Sequence, residues 1–416
     1  MKRYDTAAGR AFVLAMLLIV YTFNFLDRLV MSILATPIKA ELHLTDTQLG
    51  MLGGFAFAAL YAVLAIPFAW IADRTSRSWV IATSLAVWSG FTALCGAITG
   101  FGQLFLCRLG VGVGEAGGVA PSYALISDIF PPQQRARALG IYSLGIPLGA
   151  GLGVLFGGAV AAAVNWRTAF LAVGLAGVIF TPLFALTVRD PARPARPQGE
   201  AQASFFDVVL MLVTKPSFWL LAFGAAASSM VGYGLAFWLP SLLQRSFGMS
   251  LLQASHFYGA LLLIGGIPGI LLGGWTADRA GRNGKTGYAR IPGVAFLIAV
   301  PLFSAGILSH SSGLAFALFL IPQALSYMWL APVLTAVQHL VPAPVRATAS
   351  ACFLLINNLI GLGLGPLSIG KLSDLLKPGL GDEALRMSML TALACYVIAG
   401  LLMLIAAPRL KRDWVD

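Results

Sequence analysis

Charged side chains are scarce in this sequence. Only 10% of its 416 residues are Asp, Glu, Lys or Arg, while 58% are hydrophobic. In an average soluble protein about 25% of the residues are charged. Such a balance over this length excludes an ordinary soluble fold. Acidic residues are the scarcer charged group, because 16 Asp and Glu stand against 27 Lys and Arg.

Signatures of several function classes are also missing. The sequence contains no H-E-x-x-H, G-x-S-x-G or phosphate-binding loop, so it predicts neither an enzyme nor an ATP-driven pump. No pair of its four histidines has metal-ligand spacing, and we expect neither a metal nor a cofactor. The four cysteines fall inside apolar segments, where cysteine usually behaves as a small hydrophobic residue.

Long apolar runs dominate the chain instead. A helix that crosses about 30 Å of hydrocarbon needs about 20 mostly apolar residues. The runs are continuous, whereas the strands of a membrane barrel alternate over about 10 residues. We therefore predict an all-α membrane protein with twelve transmembrane helices. The predicted spans are 11–36, 48–72, 79–99, 102–127, 138–163, 167–188, 217–243, 251–275, 291–309, 313–339, 348–370 and 386–407.

The distribution of positive charge predicts the orientation. Most Lys and Arg residues fall in loops on one side of the predicted membrane. Such loops are usually cytoplasmic, so we expect both termini in the cytoplasm of a multi-pass inner-membrane protein. The same bias accounts for the sequence pI of 9.8 without a nucleic-acid partner. The first run lacks a small-residue cleavage site and is expected to be a retained helix.

A polar linker divides the chain. Residues 189–204, RDPARPARPQGEAQAS, are rich in Pro and charge and cannot form a core or a membrane segment. We predict an N-terminal six-helix bundle (1–188), a cytoplasmic linker (189–216) and a C-terminal six-helix bundle (217–416). At the end of the linker Ser204 caps a short interfacial helix, or the seventh span starts early; the sequence leaves both open.

A short motif occurs once in each half. Trp70-Ile-Ala-Asp73-Arg74-Thr-Ser-Arg77 follows the second span, and Trp275-Thr-Ala-Asp278-Arg279-Ala-Gly-Arg282 follows the eighth. The copies share Trp, Ala, Asp and both Arg. Because six spans separate them, both lie on the same side of the membrane, which indicates a parallel repeat.

These motifs resemble those of the major facilitator superfamily. Gly274 and the second copy are similar to its G-x-x-x-D-R-x-G-R/K loop, while the first copy has Ala69 and Ser76 in place of both glycines. Arg108-Leu-Gly-Val-Gly112 resembles the R-x-x-x-G motif of the fourth helix, and Asn165-Trp166-Arg167 the periplasmic WR element. The resemblance spans essentially the whole chain. It implies two pseudo-symmetric bundles that work by alternating access, and we expect a monomer.

The repeated loop predicts gating residues. An Asp at a helix end meets another helix dipole or a neighbouring Arg in only one conformation, so the pair acts as a latch. A second interpretation, in which the cations only hold a short loop inside, stays open. The predicted gating residues are Asp73, Arg74, Arg77, Asp278, Arg279 and Arg282.

Four ionisable residues fall within the predicted hydrocarbon: Asp27, Arg28, Arg108 and Glu115. A charge there costs at least about 2.5–3.5 kcal/mol, so such residues usually carry function. At about 1.5 Å per residue, Asp27 and Arg108 reach similar depths and are expected to meet. We predict Asp27 as the principal proton-coupling group, Arg108 as its switching partner and Glu115 as a second titratable or substrate-contacting group. The alternative is a permanent structural ion pair.

Further polar residues within the spans are candidates for substrate contact. For the aromatic members, packing or an interfacial position is the alternative. The predicted substrate-binding residues are Arg28, Arg108, Glu115, Asn24, Tyr123, Tyr233, Tyr327 and Asn357.

Within the superfamily the sequence most resembles the Spinster subfamily. The resemblance rests on Asn24-Phe-Leu-Asp27-Arg28, on Arg108 through Gly114-Glu115-Ala, on Ile126-Ser127-Asp128 and on Ile146-Pro147-Leu-Gly149. It implies proton-coupled movement of a lysolipid, with an arginine for a phosphate oxygen and apolar walls for a tail. Carriers of small organic anions, such as hexuronates and aromatic acids, share the Asn24-x-x-Asp27-Arg28 and Gly114-Glu115-Ala elements, so an anion carrier is the alternative.

Overall fold

The computed structural model describes residues 6–191, 205–342 and 345–415, and within these ranges the chain is helical with no β-strand. Two π-helical turns, Met51–Phe55 and Asn358–Leu362, and one 3₁₀ turn, Gly381–Glu383, join the α-helices. The α-helices before the linker are α1 (Ala7–Leu42), α2 (Asp46–Gly50), α3 (Ala56–Arg74), α4 (Arg77–Cys95), α5 (Phe101–Ala116), α6 (Val119–Ile129), α7 (Pro132–Ser143), α8 (Gly145–Ala163) and α9 (Trp166–Thr187). Those that follow are α10 (Phe205–Val213), α11 (Pro216–Arg245), α12 (Leu251–Asn283), α13 (Gly287–Leu308), α14 (Ser312–Tyr327), α15 (Leu330–Gln338), α16 (Arg346–Asn357), α17 (Gly363–Leu380), α18 (Ala384–Ala392) and α19 (Ala394–Asp413).

The all-helical membrane class is confirmed, and the number of spans lies between ten and twelve. Ten segments of the described chain are long and apolar enough to cross a membrane, and one of them, Thr348–Asp413, is 66 residues long. That segment contains two helical rods, because the chain turns at Gly381–Glu383. The predicted fourth span is divided into α5 and α6 by a turn at Gly117 and Gly118. The count of twelve and the cytoplasmic termini stay predictions.

Local sequence signals set the first turn of the fold. Thr6 caps α1 by accepting a hydrogen bond from the Gly9 amide at 3.1 Å. The helix ends at His43, which adopts a left-handed conformation with φ 52°. Thr45 and Gln48 then form a capping box that starts α2, since each side chain bonds the other residue's backbone amide. The chain therefore reverses within three residues and places Asp46 beside the end of α1.

The linker is followed by a separate short helix. α10 ends at Val213 and α11 begins at Pro216, so the seventh span does not start early. Val208 and Leu212 of α10 are buried, whereas Leu210 is 67% exposed. This distribution fits an interfacial helix with one face on the protein. Ser204, the predicted cap, lies outside the described residues.

The described residues group into two units. The first contains those before the linker together with Leu239–Leu263, and the second contains those within Arg196–Trp238 and Ile264–Asp416. Leu239–Leu263, which the predicted boundary assigns to the C-terminal bundle, thus packs with the first unit.

Glycines allow close helix packing inside the first unit, where α1 packs along α8 and α4 along α9. A Cβ atom at Gly153 of α8 would lie 2.6 Å from the Leu26 carbonyl oxygen of α1. Small residues at such crossings bring two backbones together. Glu41 adds polar contacts, because it accepts a hydrogen bond from the Trp166 indole at 2.6 Å and pairs with Arg167. The WR element therefore joins α9 to the end of α1.

Candidate functional site

The intramembrane charges gather inside the first unit. α1 supplies Asn24, Asp27 and Arg28, and α5 supplies Arg108 and Glu115. Asp27, Arg108 and Glu115 are 1%, 2% and 0% exposed, and the Arg28 side chain is 9% exposed. Buried ionisable groups at this density are costly and usually mark a functional site.

Glu115 is paired with Arg28. The Arg28 Nε lies 2.7 Å from the Glu115 Oε2, which is a charge-assisted hydrogen bond. The expected Asp27–Arg108 ion pair is not formed in this conformation. Depth along the helix axes made that pair reasonable, but the Arg108 Nε donates to the Leu52 carbonyl oxygen, while Arg28, about 100° around α1 from Asp27, pairs with Glu115. The sequence therefore predicted the members of the site and not their pairing.

Arg108 contacts backbone. Its Nε donates to the Leu52 carbonyl oxygen at 3.4 Å. Leu52 lies in the π-helical turn Met51–Phe55, where the Ala56 amide bonds the Met51 carbonyl instead of the Leu52 carbonyl. A π-turn changes the hydrogen-bond register of a helix and is frequent at functional sites. This turn gives the Arg108 guanidinium a carbonyl acceptor.

Several buried polar atoms of the site have no hydrogen-bond partner. They include the Asp27 Oδ1, the Glu115 Oε1, the Arg108 Nη1 and both amide atoms of Asn24. Arg108 remains within electrostatic range of Asp27. Buried polar groups are nearly always satisfied in proteins. A cluster of buried polar and charged groups within the membrane therefore marks this place as a candidate functional site.

Aromatic rings surround the two arginines. The Arg28 guanidinium lies 5.0 Å from the ring centroid of Phe25 and 4.7 Å from those of Phe57 and Tyr61. The Arg108 guanidinium lies 5.5 Å from the Phe57 centroid. Sequence analysis missed Phe57, since a phenylalanine in an apolar run resembles a packing residue. The one feature of the sequence that points to Phe57 is its position shortly after Gly53-Gly54, the glycine pair of the π-helical turn.

The predicted residue Tyr123 belongs to a neighbouring aromatic group. Its ring lies 5.3 Å from that of Tyr142, which stacks on Tyr21 at 4.3 Å. Tyr21 is on α1, one turn before Asn24. Tyr123 is half-buried and lies in the same unit as the charged cluster.

The remaining predicted substrate residues belong to the second unit. Asn357 is buried, and its Oδ1 accepts a hydrogen bond from the Ser229 hydroxyl of α11 at 2.8 Å. The second π-helical turn follows it directly. Tyr233 of α11 and Tyr327 of α14 are half-buried. The hydrogen bond between Ser229 and Asn357 joins two uncharged groups, whereas Arg28 and Glu115 in the first unit form an ion pair.

The first loop motif forms a cluster around Arg77. Its guanidinium lies 3.0 Å from Asp73 and also pairs with Asp128 at the end of α6. Asp190 accepts hydrogen bonds from the Arg77 and Ser78 amides, at 2.8 Å each, and so caps α4. The motif thus ties the end of α3 to α6 within the first unit.

Other predicted gating residues make weaker contacts. The Arg74 guanidinium lies 3.9 Å from the Trp70 centroid, and that of Arg279 lies 5.5 Å from the Trp275 centroid. Asp278 is exposed at this site. The Arg282 side chain lies outside the description, so its predicted role stays a prediction.

Comparison with known protein families assigns the chain to one of them. The sequence model of the Major Facilitator Superfamily matches residues 17–366. The chain belongs to this superfamily. It is a Spinster-like, multi-pass membrane transporter and not an enzyme.

Individual relatives agree with this assignment. The chain is 35% identical over 405 residues to an MFS-type efflux pump of Mycolicibacterium smegmatis, covering 96% of this chain and 93% of that protein. It is 29% identical to human protein spinster homolog 1, covering 88% and 74%. A crystal structure of a bacterial homolog to human Spinster, in an inward-facing and unoccupied conformation, superposes with a TM-score of 0.88 at 31% identity, covering 100% of this chain and 99% of that one.

Proposed function

We propose that this transporter couples the movement of a lysolipid-type amphiphile to protons and that Asp27 is the principal proton-coupling group. One observation carries the proposal: Asp27 is buried, its Oδ1 accepts no hydrogen bond, and no Lys, Arg or His of the described chain forms an ion pair with it. A buried carboxylate in such surroundings is costly when ionised. A proton removes that cost, and an approaching arginine removes it in another conformation.

The arginines support an anionic or phosphate-bearing substrate. Arg108 carries an Nη1 without a partner, and Arg28 presents a planar guanidinium among aromatic rings. Guanidinium groups bind phosphate oxygens well, and aromatic walls suit an apolar chain. The resemblance to the Spinster subfamily implies a lysolipid, and for that reason we propose the lysolipid before the small organic acid. The efflux-pump name of the mycobacterial relative favours outward movement.

Measurements of substrate flux in proteoliposomes test both the substrate class and the role of Asp27. Protein is reconstituted, a pH gradient is imposed, and movement of fluorescent lysophosphatidylcholine is compared with that of radiolabelled glucuronate. We expect gradient-driven flux of the lysolipid, and we expect Asp27→Asn to abolish its dependence on the gradient. Asp382→Asn removes an exposed carboxylate from the Gly381–Glu383 turn and is the matched control.

The role of Asp27 and the substrate class can each be contradicted by a separate result. Gradient-driven flux that is unchanged in Asp27→Asn would show that proton coupling lies elsewhere. Flux of glucuronate in place of lysophosphatidylcholine would establish the organic-anion alternative while leaving the role of Asp27 intact.

A further inference from the structure

One apolar side chain contacts both intramembrane arginines. Phe57 is 1% exposed, and its ring centroid lies 4.7 Å from the Arg28 guanidinium and 5.5 Å from that of Arg108. A cation over an aromatic face is attracted by the quadrupole of the ring. The ring thus attracts two cations that repel each other.

The backbone fixes the position of this ring. A Cβ atom at Gly112 of α5 would lie 3.2 Å from the Phe57 carbonyl carbon, so α3 and α5 are in backbone contact at this point. The π-helical turn Met51–Phe55 ends two residues before Phe57 and presents the Leu52 carbonyl to Arg108. The ring also stacks on Tyr61 at 5.1 Å. Phe57 therefore has little freedom to move away.

The partners of the two arginines follow from this arrangement. Arg28 is directed to Glu115, with an Nε–Oε2 distance of 2.7 Å. Arg108 is directed to the Leu52 carbonyl, 3.4 Å from its Nε. Asp27 is left without a cation at ion-pair distance, although Arg108 is the arginine that acts on its charge.

We propose that Phe57 is a positioning residue for proton coupling: its ring holds the guanidinium groups of Arg28 and Arg108 in place and keeps Arg108 on the Leu52 carbonyl, away from Asp27. The inference rests on the proposed role of Asp27. In this proposal an uncharged side chain determines whether Arg108 lies on the Leu52 carbonyl or beside Asp27.

The sign of the effect follows from the groups around Asp27. The charged and titratable groups that act on Asp27 are Arg108 and Glu115 on α5 and the Cys95 thiol on α4, while Arg28 of its own helix is paired with Glu115. A smaller side chain at position 57 permits Arg108 to approach Asp27 and stabilise its anion. Protonation of Asp27 then requires a lower pH.

Infrared difference spectroscopy measures this protonation without a substrate. The purified full-length transporter is titrated on an attenuated-total-reflection cell, and the C=O stretch of protonated carboxyl groups is followed. The part of the signal that Asp27→Asn removes belongs to Asp27. We expect Phe57→Leu and Phe57→Met to move the midpoint of that signal about one pH unit lower, the size of shift that a repositioned charge produces.

Two variants separate positioning from packing. Phe57→Tyr keeps the ring and is expected to keep the wild-type midpoint within a few tenths of a pH unit. Phe156→Leu removes a ring of α8 that is 46% exposed and lies outside the π-helical turn, and it is expected to leave the midpoint unchanged. A structural defect alone would lower the melting temperature and leave the midpoint in place.

The outcomes distinguish this inference from the proposed function. If wild-type protein shows no titrating signal that Asp27→Asn removes, the proton-coupling proposal is wrong and the positioning role with it. If that signal exists and neither Phe57→Leu nor Phe57→Met moves it, only the positioning role is wrong. A shift of equal size in Phe57→Tyr would also overturn the positioning role, because the ring would then be irrelevant.

Discussion

The contacts of Asp46 provide a direct test of which interactions stabilise the observed conformation. This residue is 2% exposed, and its two carboxylate oxygens each accept a hydrogen bond from Arg245 at 2.9 Å. Lys39 forms a second ion pair with it. Arg245 lies in Leu239–Leu263, the segment that packs with the first unit, so this clasp holds the segment against α1 and α2.

The expected effect of Asp46→Asn is substantial. Removing one member of a fully buried ion pair costs about 3–5 kcal/mol, whereas an exposed pair contributes about 0–1 kcal/mol. The cation side chains here are 20% and 21% exposed and the carboxylate 3%. We therefore expect a loss of about 2 kcal/mol, since the buried value must be reduced for partial exposure. Only Arg245 lies in the segment, so we expect the loss of its bonds to Asp46 to destabilise the observed conformation relative to one in which the segment has separated.

Cross-linking measures the population of that conformation. The Thr36 and Ser241 hydroxyls lie 3.3 Å apart, so cysteines at these positions suit an oxidative cross-link. The pair is introduced after Cys95, Cys107, Cys352 and Cys395 are replaced by alanine. About 2 kcal/mol changes a conformational ratio about 30-fold. If the observed conformation is favoured by about 30:1, this change leaves nearly equal populations and halves the initial rate of cross-linking.

An exposed ion pair provides the control. Glu383→Gln breaks the contact of Arg386 with a carboxylate that is 50% exposed, and it should leave the cross-linking rate unchanged. If the Asp46→Asn variant elutes from size-exclusion chromatography as the parent double-cysteine protein does and cross-links at the same rate, the Asp46–Arg245 contact does not stabilise the observed conformation.

Three further substitutions test other contacts. Trp414→Ala removes a ring stacked 4.5 Å from that of His339 and is expected to lower the melting temperature by a few degrees without changing the KM for lysophosphatidylcholine. Gly153→Val introduces a clash with the α1 backbone and should cost about 1–3 kcal/mol of stability in a thermal melt, whereas Gly140→Val has open space and should cost little. Arg28→Lys loses the planar group that contacts three rings and should reduce gradient-driven flux more than about tenfold at unchanged expression.

The sequence predicted the class of fold because the relevant signal is compositional. Apolar runs long enough to cross hydrocarbon can be counted without knowledge of tertiary contacts. The interruption at Gly117 and Gly118 was not predictable, since glycine is common in membrane helices without breaking them. Neither was the packing of Leu239–Leu263 with the first unit, because it depends on which conformation the protein adopts.

The sequence singles out the four charged residues that the structure brings together, but it does not predict how they pair. Asp27, Arg28, Arg108 and Glu115 stand out because a charge in an apolar run is expensive, whatever surrounds it. Which arginine meets which carboxylate depends on helix rotation and on the π-helical turn Met51–Phe55, and neither changes hydropathy. The contribution of Phe57 is hidden for the same reason, since its cation contacts involve a residue type that every apolar run contains.

The balance of charge in the site links proton binding to anion binding. Two carboxylates and two guanidinium groups are neutral together only while both acids are ionised, so protonation of Asp27 leaves one excess positive charge in a buried place. An anionic headgroup at Arg28 or Arg108 removes the excess. If Asp27 is the proton-coupling group, as proposed, the proton and the headgroup favour each other's binding. By linkage, acidification should then tighten the binding of a phosphate-bearing substrate to the same degree that the substrate promotes protonation.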